Sequence, residues 1–342
     1  MLESHLDYLS VVGKSEEIAG LEAAIESAFG TVLPWNEAKS GTRGKYYEKI
    51  VNGHLGIELC LNRSGFGGQL EWRLVVPGQA FAAAGSEISF RFARYLHEKY
   101  KTKCTRLDWA IDDFDHTLSV PLLHLCARKE AFKGADTYVY YGRGQRGKKQ
   151  LGETIYLGSE QSEKRMRAYD KNHESKGEID CFRVEYQNRD NAAKFLFLQF
   201  VNHDKCEVAT QLLNNICLGF FKILETRSSA DGERALHRLW QKFVDKVGIP
   251  CKVSIPREPT TISEKEEWIE SQVIGTLTLL SLHRGYENVV DWIKKLIARK
   301  SKLSIESIRK TIESLKRYDD NKCYSFEQLI AKRDRKNCIS TA

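Results

Sequence analysis

Apolar and polar residues alternate at strand spacing through much of the first 200 residues, and helical spacing dominates after that. His5 to Val12 predicts a short strand. Glu16 to Gly30 predicts a helix, because Ile18, Leu21, Ile25 and Phe29 recur at helical spacing and Gly30 supplies a left-handed stop. Gly56 to Leu61 and Gln69 to Val76 alternate on either side of Arg63 to Gly68, the signature of a β-hairpin. The glycines of that turn do not read as a phosphate loop, since no Lys-Ser/Thr follows and no helix opens there to receive an anion. Ser86 caps a predicted helix to Tyr100, with Phe92, Leu96 and Tyr100 on one face. A further helix is predicted from Pro121 to Phe132, then a strand from Thr137 to Tyr141 and a basic loop from Gly142 to Lys149. That loop suits either nucleic acid or a solvated hairpin tip.

Three strands carry chemistry as well as pattern. In Thr105 to Asp113, Leu107, Trp109 and Ile111 share one face, while Arg106, Asp108, Ala110 and Asp112 share the other. Aspartate is depleted in strands, so two on one face suggest either metal ligation or an arginine pair. Thr154 to Leu157 turns at Gly158-Ser159 into an antiparallel partner that places Arg165, Arg167, Tyr169 and Lys171 on one face. Cys181 to Tyr186 adds a strand in which Arg183 and Glu185 oppose Val184 and Tyr186. If the polar faces coincide, one sheet gathers Asp108, Asp112 and Glu185 with Arg167, Lys171, Arg183 and the Tyr169 hydroxyl. Such a set suits metal-assisted phosphoryl transfer. The carboxylates would hold a divalent ion, the cations would neutralise a phosphodiester, and a tyrosine would attack phosphorus.

The same residues carry a family resemblance. T-R-L-D-W-A-I-D-D (105–113), G-E-T-I-Y-L-G-S-E-Q-S-E-K-R-M-R-A-Y-D-K (152–171) and F-R-V-E-Y-Q-N-R-D (182–190) resemble the replication initiation factor (Rep_trans) family of rolling-circle plasmid and phage initiators and related relaxases. The resemblance implies an α+β fold and an enzyme that nicks one strand of origin DNA. Such an enzyme stays attached through a 5′-phosphotyrosine, leaves a 3′-hydroxyl for a polymerase, and uses Mg²⁺ or Mn²⁺. It also implies double-stranded and nicked single-stranded origin DNA, a host helicase and a second copy of the chain as partners. In one plasmid branch of the family the attacking tyrosine lies on the helix after the Arg-x-Glu strand. Here Lys194 occupies that place, and no tyrosine follows through Phe200. Either another tyrosine attacks, Tyr169 first and Tyr186 next, or the chain binds origin DNA without nicking it. No His-x-His pair occurs, which excludes the metal site of the histidine-rich initiators.

Beyond Asn202 the pattern predicts helices only: Ala209 to Leu224, Glu233 to Val247, Glu264 to His283, Tyr286 to Lys300 and Ser304 to Arg317. The expected architecture is a central, mostly antiparallel sheet with flanking helices over residues 1–202, followed by a helical domain over 203–342. Charge sharpens this picture. Val289 to Lys336 holds 14 basic and 7 acidic residues, which accounts for the whole net charge of +7 and suits a polyanionic partner or a solvated helical surface. The nine cysteines form no C-x-x-C pair and read as buried thiols. No apolar run reaches the roughly 18 to 20 residues of a membrane span, and the N-terminal residues lack a secretory pattern, so the expected location is the cytoplasm.

Overall fold

The computed structural model describes residues 2–30, 36–37, 49–64, 70–143, 151–227, 233–255, 269 and 273–300. The chain forms two compact units, residues 1–256 and 257–342. The first unit therefore runs past 202, where the pattern placed a boundary.

In chain order the first unit contains β1 (Leu2–Lys14), α1 (Leu21–Phe29), β2 (Asn36–Glu37), β3 (Lys49–Asn52), β4 (Glu58–Ser64), β5 (Leu70–Pro77), α2 (Gly78–Ala84) and α3 (Ser86–Tyr100). It continues with β6 (Lys103–Asp113), α4 (Val120–Arg128), β7 (Phe132–Lys133), β8 (Tyr138–Arg143), β9 (Leu151–Leu157), β10 (Lys164–Asp170) and α5 (Lys171–Glu174). Last come β11 (Phe182–Arg189), α6 (Asp190–Val201), α7 (Cys206–Leu218), β12 (Lys222–Ile223) and α8 (Arg238–Val247). Ten strands make one sheet in the order β2-β3-β4-β5-β1-β6-β11-β10-β9-β8. Every described pairing in it is antiparallel.

The core lies on one face of this sheet. Leu6, Leu9, Val11, Trp72, Trp109, Ile111, Val184 and Tyr186 point into it, and α2, α3, α6 and α7 pack above them. Trp109 meets Phe200 edge-on at 5.6 Å, and Trp72 meets Tyr100 at 5.8 Å. Burying each such side chain stabilises the fold by roughly 1.5–3 kcal/mol. The indole N–H of Trp109 donates to Asn214 Oδ1 at 2.8 Å, so β6 is tied to α7 by a buried polar contact.

The departures from the expected elements have local causes. The helix expected over 16–30 starts at Leu21, because Gly20 takes φ +82° and leaves Ser15–Glu17 as a separate 3₁₀ turn. Ala209 to Leu224 is not one helix. It ends at Leu218, and Lys222–Ile223 pairs with Phe132–Lys133 in a two-stranded sheet, so strands do not stop at Asn202. The α8 helix begins only at Arg238, where His237 Nδ1 accepts from the Leu239 N–H. The described cysteines are free thiols, and all but Cys251 are buried.

In the second unit, α9 (Ile274–Arg284) and α10 (Tyr286–Lys300) pack together across Gly285, whose φ is +85°. The turn at 65–69, most of the basic loop after Arg143, the helix expected over 304–317 and most of the basic tail lie outside the described residues. Among the described residues no helix is long and apolar enough to cross a membrane.

Candidate active site on the polar face of the sheet

Register brings the polar residues of three central strands together. Across β11 and β6, Arg183 stands opposite Asp112, Glu185 opposite Ala110 and Gln187 opposite Asp108. Across β10 and β11, Tyr169 stands opposite Arg183, Arg167 opposite Glu185 and Arg165 opposite Gln187. On the other side of β6, Tyr8 of β1 faces Asp108. Strand alternation puts all of these on the face away from the helices.

Hydrogen bonds then fix the side chains. Arg183 donates Nε to Asp112 Oδ1 at 2.6 Å and Nη2 to Asp112 Oδ2 at 2.7 Å, and its third nitrogen reaches Asp7 Oδ1 at 2.6 Å. Arg106 forks Asp108, with Nη2 to Oδ2 at 2.6 Å. Arg167 donates to Glu185 Oε2 and Glu174 Oε1, each at 3.2 Å, while Gln187 donates to Glu185 Oε1 at 2.7 Å. Lys171 opens α5 rather than closing β10, and its ammonium pairs with Glu174.

Three arginines also sit over tyrosine rings. Arg106 sits 4.3 Å from the Tyr8 ring centre, Arg165 3.9 Å from Tyr156 and Arg167 3.9 Å from Tyr169. Stacking of this kind contributes about 0.5–2 kcal/mol each and fixes the guanidinium plane.

Burial makes this face electrostatically demanding. Asp108 and Glu185 are 1% and 2% exposed. Burial, against the opposing Arg106 charge and reinforced by Glu185 and Asp7, pushes the Asp108 carboxyl up to about 7. Burial and the Asp7 carboxylate likewise raise Glu185. The Tyr169 phenol is raised by burial and then by Glu185, with Arg183 and Arg167 pulling the other way. Burial acts to raise Glu174, but Lys171, Arg167 and the Tyr169 hydroxyl outweigh it and hold that carboxylate below its ordinary range.

Of the residues singled out from sequence, Asp108, Asp112, Arg167, Tyr169, Arg183 and Glu185 share this face, with Lys171 at its margin, 5.8 Å from the Tyr169 ring. Tyr186 does not share it. It is fully buried on the helix-covered side, its hydroxyl has no hydrogen-bond partner among the described residues, and burial raises its phenol well above the ordinary value. Asp108 and Asp112 are four residues apart on one strand, about 13 Å, too far to ligate a single ion together. Among the described residues no three His, Cys, Asp or Glu side chains gather closely enough to form a ready cation cage.

Two acidic partners escaped the sequence reading. Asp7 sits in a register shift between Leu6 and Tyr8, and the three-residue step from Leu6 to Leu9 in the apolar pattern is the signal for that bulge. Glu174 lies in a polar stretch without periodicity, so its approach to Arg167 and Tyr169 leaves no trace in the pattern.

Comparisons with known proteins bear on the family and the fold. The model of the replication initiation factor family (Rep_trans) matches residues 102–297. Among solved structures, a rolling circle replication initiator protein from Geobacillus stearothermophilus is similar in fold, with a TM-score of 0.58 and 20% identity, covering 75% of this chain and 100% of that one. No curated protein matches the chain significantly.

Proposed function

The chain belongs to the replication initiation factor family, and from that premise we propose that it is a rolling-circle initiator that nicks one strand of origin DNA through Tyr169. The observation that carries this reading is the position of Tyr169. Its hydroxyl lies beside Glu174, its ring lies under Arg167, and it stands opposite Arg183 on the polar face. A phenol so buried needs both a proton acceptor and cations to become a nucleophile. Glu174 takes the proton, and Arg167, Arg183 and Lys171 stabilise the charge that develops on the phosphodiester. The tyrosine oxygen bonds to phosphorus as the bond to the 3′ oxygen breaks. The proton held by Glu174 ends on that 3′ oxygen, which leaves a free 3′-hydroxyl for a polymerase.

A divalent ion, Mg²⁺ or Mn²⁺, would draw on the carboxylates of Asp108 and Glu185, which burial and then neighbouring carboxylate charge raise in pKa. Bound there, it would supply further neutralisation of phosphate charge. Asp112 serves instead to hold Arg183. The substrate is origin DNA, first double-stranded and then as the nicked single strand, and a host helicase and a second copy of the chain are the expected partners.

A second reading is favoured by one observation: α6 contains no tyrosine, and Lys194 stands where a related branch keeps its nucleophile. On that reading the protein binds the origin without cutting it. Incubation with supercoiled origin plasmid and Mn²⁺, followed by mass spectrometry of any DNA–peptide adduct, separates the two. An adduct on Tyr169 supports the enzyme, an adduct on another tyrosine moves the nucleophile, and binding without nicking supports the second reading.

A further inference from the structure

We infer that Tyr141, on the edge strand β8, stacks an unpaired base of the DNA strand beside the reacting phosphate. The inference rests on the reading of the polar face as a DNA-cleaving surface, and it adds a base-binding position at the margin of that face.

Register places Tyr141 in line with the candidate nucleophile. Tyr141 stands opposite Thr154 of β9, and Thr154 stands opposite Tyr169 of β10. Residues paired in this way share a face, so both tyrosines lie on the same side of the sheet. They are two strands apart, about 10 Å, within reach of a nucleotide that flanks the phosphate at Tyr169. Thr154 is short, so no large side chain of that row separates the two rings.

The open ring sets Tyr141 apart from the other tyrosines of this face. Tyr8, Tyr156 and Tyr169 each carry a guanidinium over the ring. Among the described residues no cation lies over Tyr141, and it is 56% exposed. Its ring meets Tyr156 at 5.9 Å with the two planes at 89°. Arg165 holds Tyr156 in turn, 3.9 Å from the ring centre, so Tyr141 leans on a fixed neighbour. An exposed, supported ring is a platform on which any base can stack, and a tyrosine gives up little side-chain entropy in doing so.

Charge favours a nucleic acid over an apolar partner. Arg167 and Lys171 are partly exposed on the same face. In the sequence, Arg143, Arg146, Lys148 and Lys149 follow Tyr141 with no acidic residue among them. Stacking also requires a base face that a duplex covers with its neighbouring pairs, so the occupant is an unpaired base.

The test uses the full chain, a fluorescent oligothymidylate and a salt series. Tyr141→Ala is expected to weaken binding about tenfold, the value of one stacked base. The slope of log affinity against log salt should not change, because no phosphate contact is lost. Tyr141→Leu, which keeps an apolar chain on the strand but no ring, should lose affinity as Tyr141→Ala does. Tyr141→Phe should bind like wild type, since the ring remains. An abasic oligomer of the same length should bind wild type and Tyr141→Ala alike. The inference is overturned if Tyr141→Ala binds oligothymidylate like wild type, if Tyr141→Phe loses as much as Tyr141→Ala, or if the abasic oligomer suffers the same loss. A wild-type protein that binds no oligonucleotide overturns the DNA-cleavage reading and the inference with it, whereas wild-type binding without a nick overturns the cleavage reading alone.

Discussion

Arg183 grips Asp112 with two parallel hydrogen bonds of 2.6 and 2.7 Å across β11 and β6, both residues being almost wholly buried. Removing one member of such a pair leaves the other uncompensated. Asp112→Ala is therefore expected to lower unfolding free energy by about 3–5 kcal/mol, read by urea denaturation. Mn²⁺ binding to folded Asp112→Asn should be close to wild type, since that carboxylate holds an arginine. A variant that keeps its stability but no longer binds Mn²⁺ would return Asp112 to the metal.

The two candidate tyrosines give opposite expectations. Tyr169→Phe should abolish the covalent DNA adduct while leaving the far-ultraviolet circular dichroism unchanged. Tyr186→Phe should leave nicking intact and stabilise the protein by up to about 1 kcal/mol, because it removes a buried hydroxyl that has no partner among the described residues. Nicking assays and thermal melts of both variants check these statements together.

Asp108 sets a pH dependence of defined sign. Its folded pKa, about 7, lies above the ordinary carboxylate value, so between the two the native state binds more protons than the unfolded chain. Its contribution to stability is thus most favourable below about pH 4 and declines as pH rises to about 7. The difference in unfolding free energy between wild type and Asp108→Asn, followed across that window, should shift in favour of the asparagine variant as pH rises. A difference that stays flat from pH to pH would contradict the assignment.

Gly78 is needed for space. A Cβ there would lie 2.6 Å from Asp7 Oδ1 and 2.8 Å from the Asp7 carbonyl oxygen. Gly78→Ala should displace Asp7, loosen its contact with Arg183 and destabilise the protein by about 1–3 kcal/mol. It should also slow nicking, which a single-turnover assay on origin DNA would register.

Much of the site was legible because strand alternation is a strong rule. Once Leu107, Trp109 and Ile111 were assigned to the core, Asp108 and Asp112 had to face the other way, and Val184 fixed Arg183 and Glu185 in the same manner. Pattern does not reveal which neighbour each charge takes. Pattern reads Asp112 as a metal ligand, and register sets it opposite Arg183. Asp7 was hidden because a bulge breaks the alternation that would have exposed it. The α2 helix was missed for a related reason: Gly78 to Ala84 is one short, alanine-rich turn pair with no stripe long enough to read.

The position of β1 between β5 and β6 also has a consequence in time. Asp7, Asp112 and Arg183 meet directly, yet the ribosome makes them far apart, and the central pairings β1–β6 and β6–β11 are all long-range. Closing such distant segments is slow relative to local helix formation. A nascent chain that has not yet released Arg183 lacks the residue that joins the two aspartates. During synthesis, therefore, a shortened product ending before β11 holds Tyr169, Arg167 and Glu174 but lacks Arg183 and Glu185. The polar face is complete only once β11 has joined both β6 and β10.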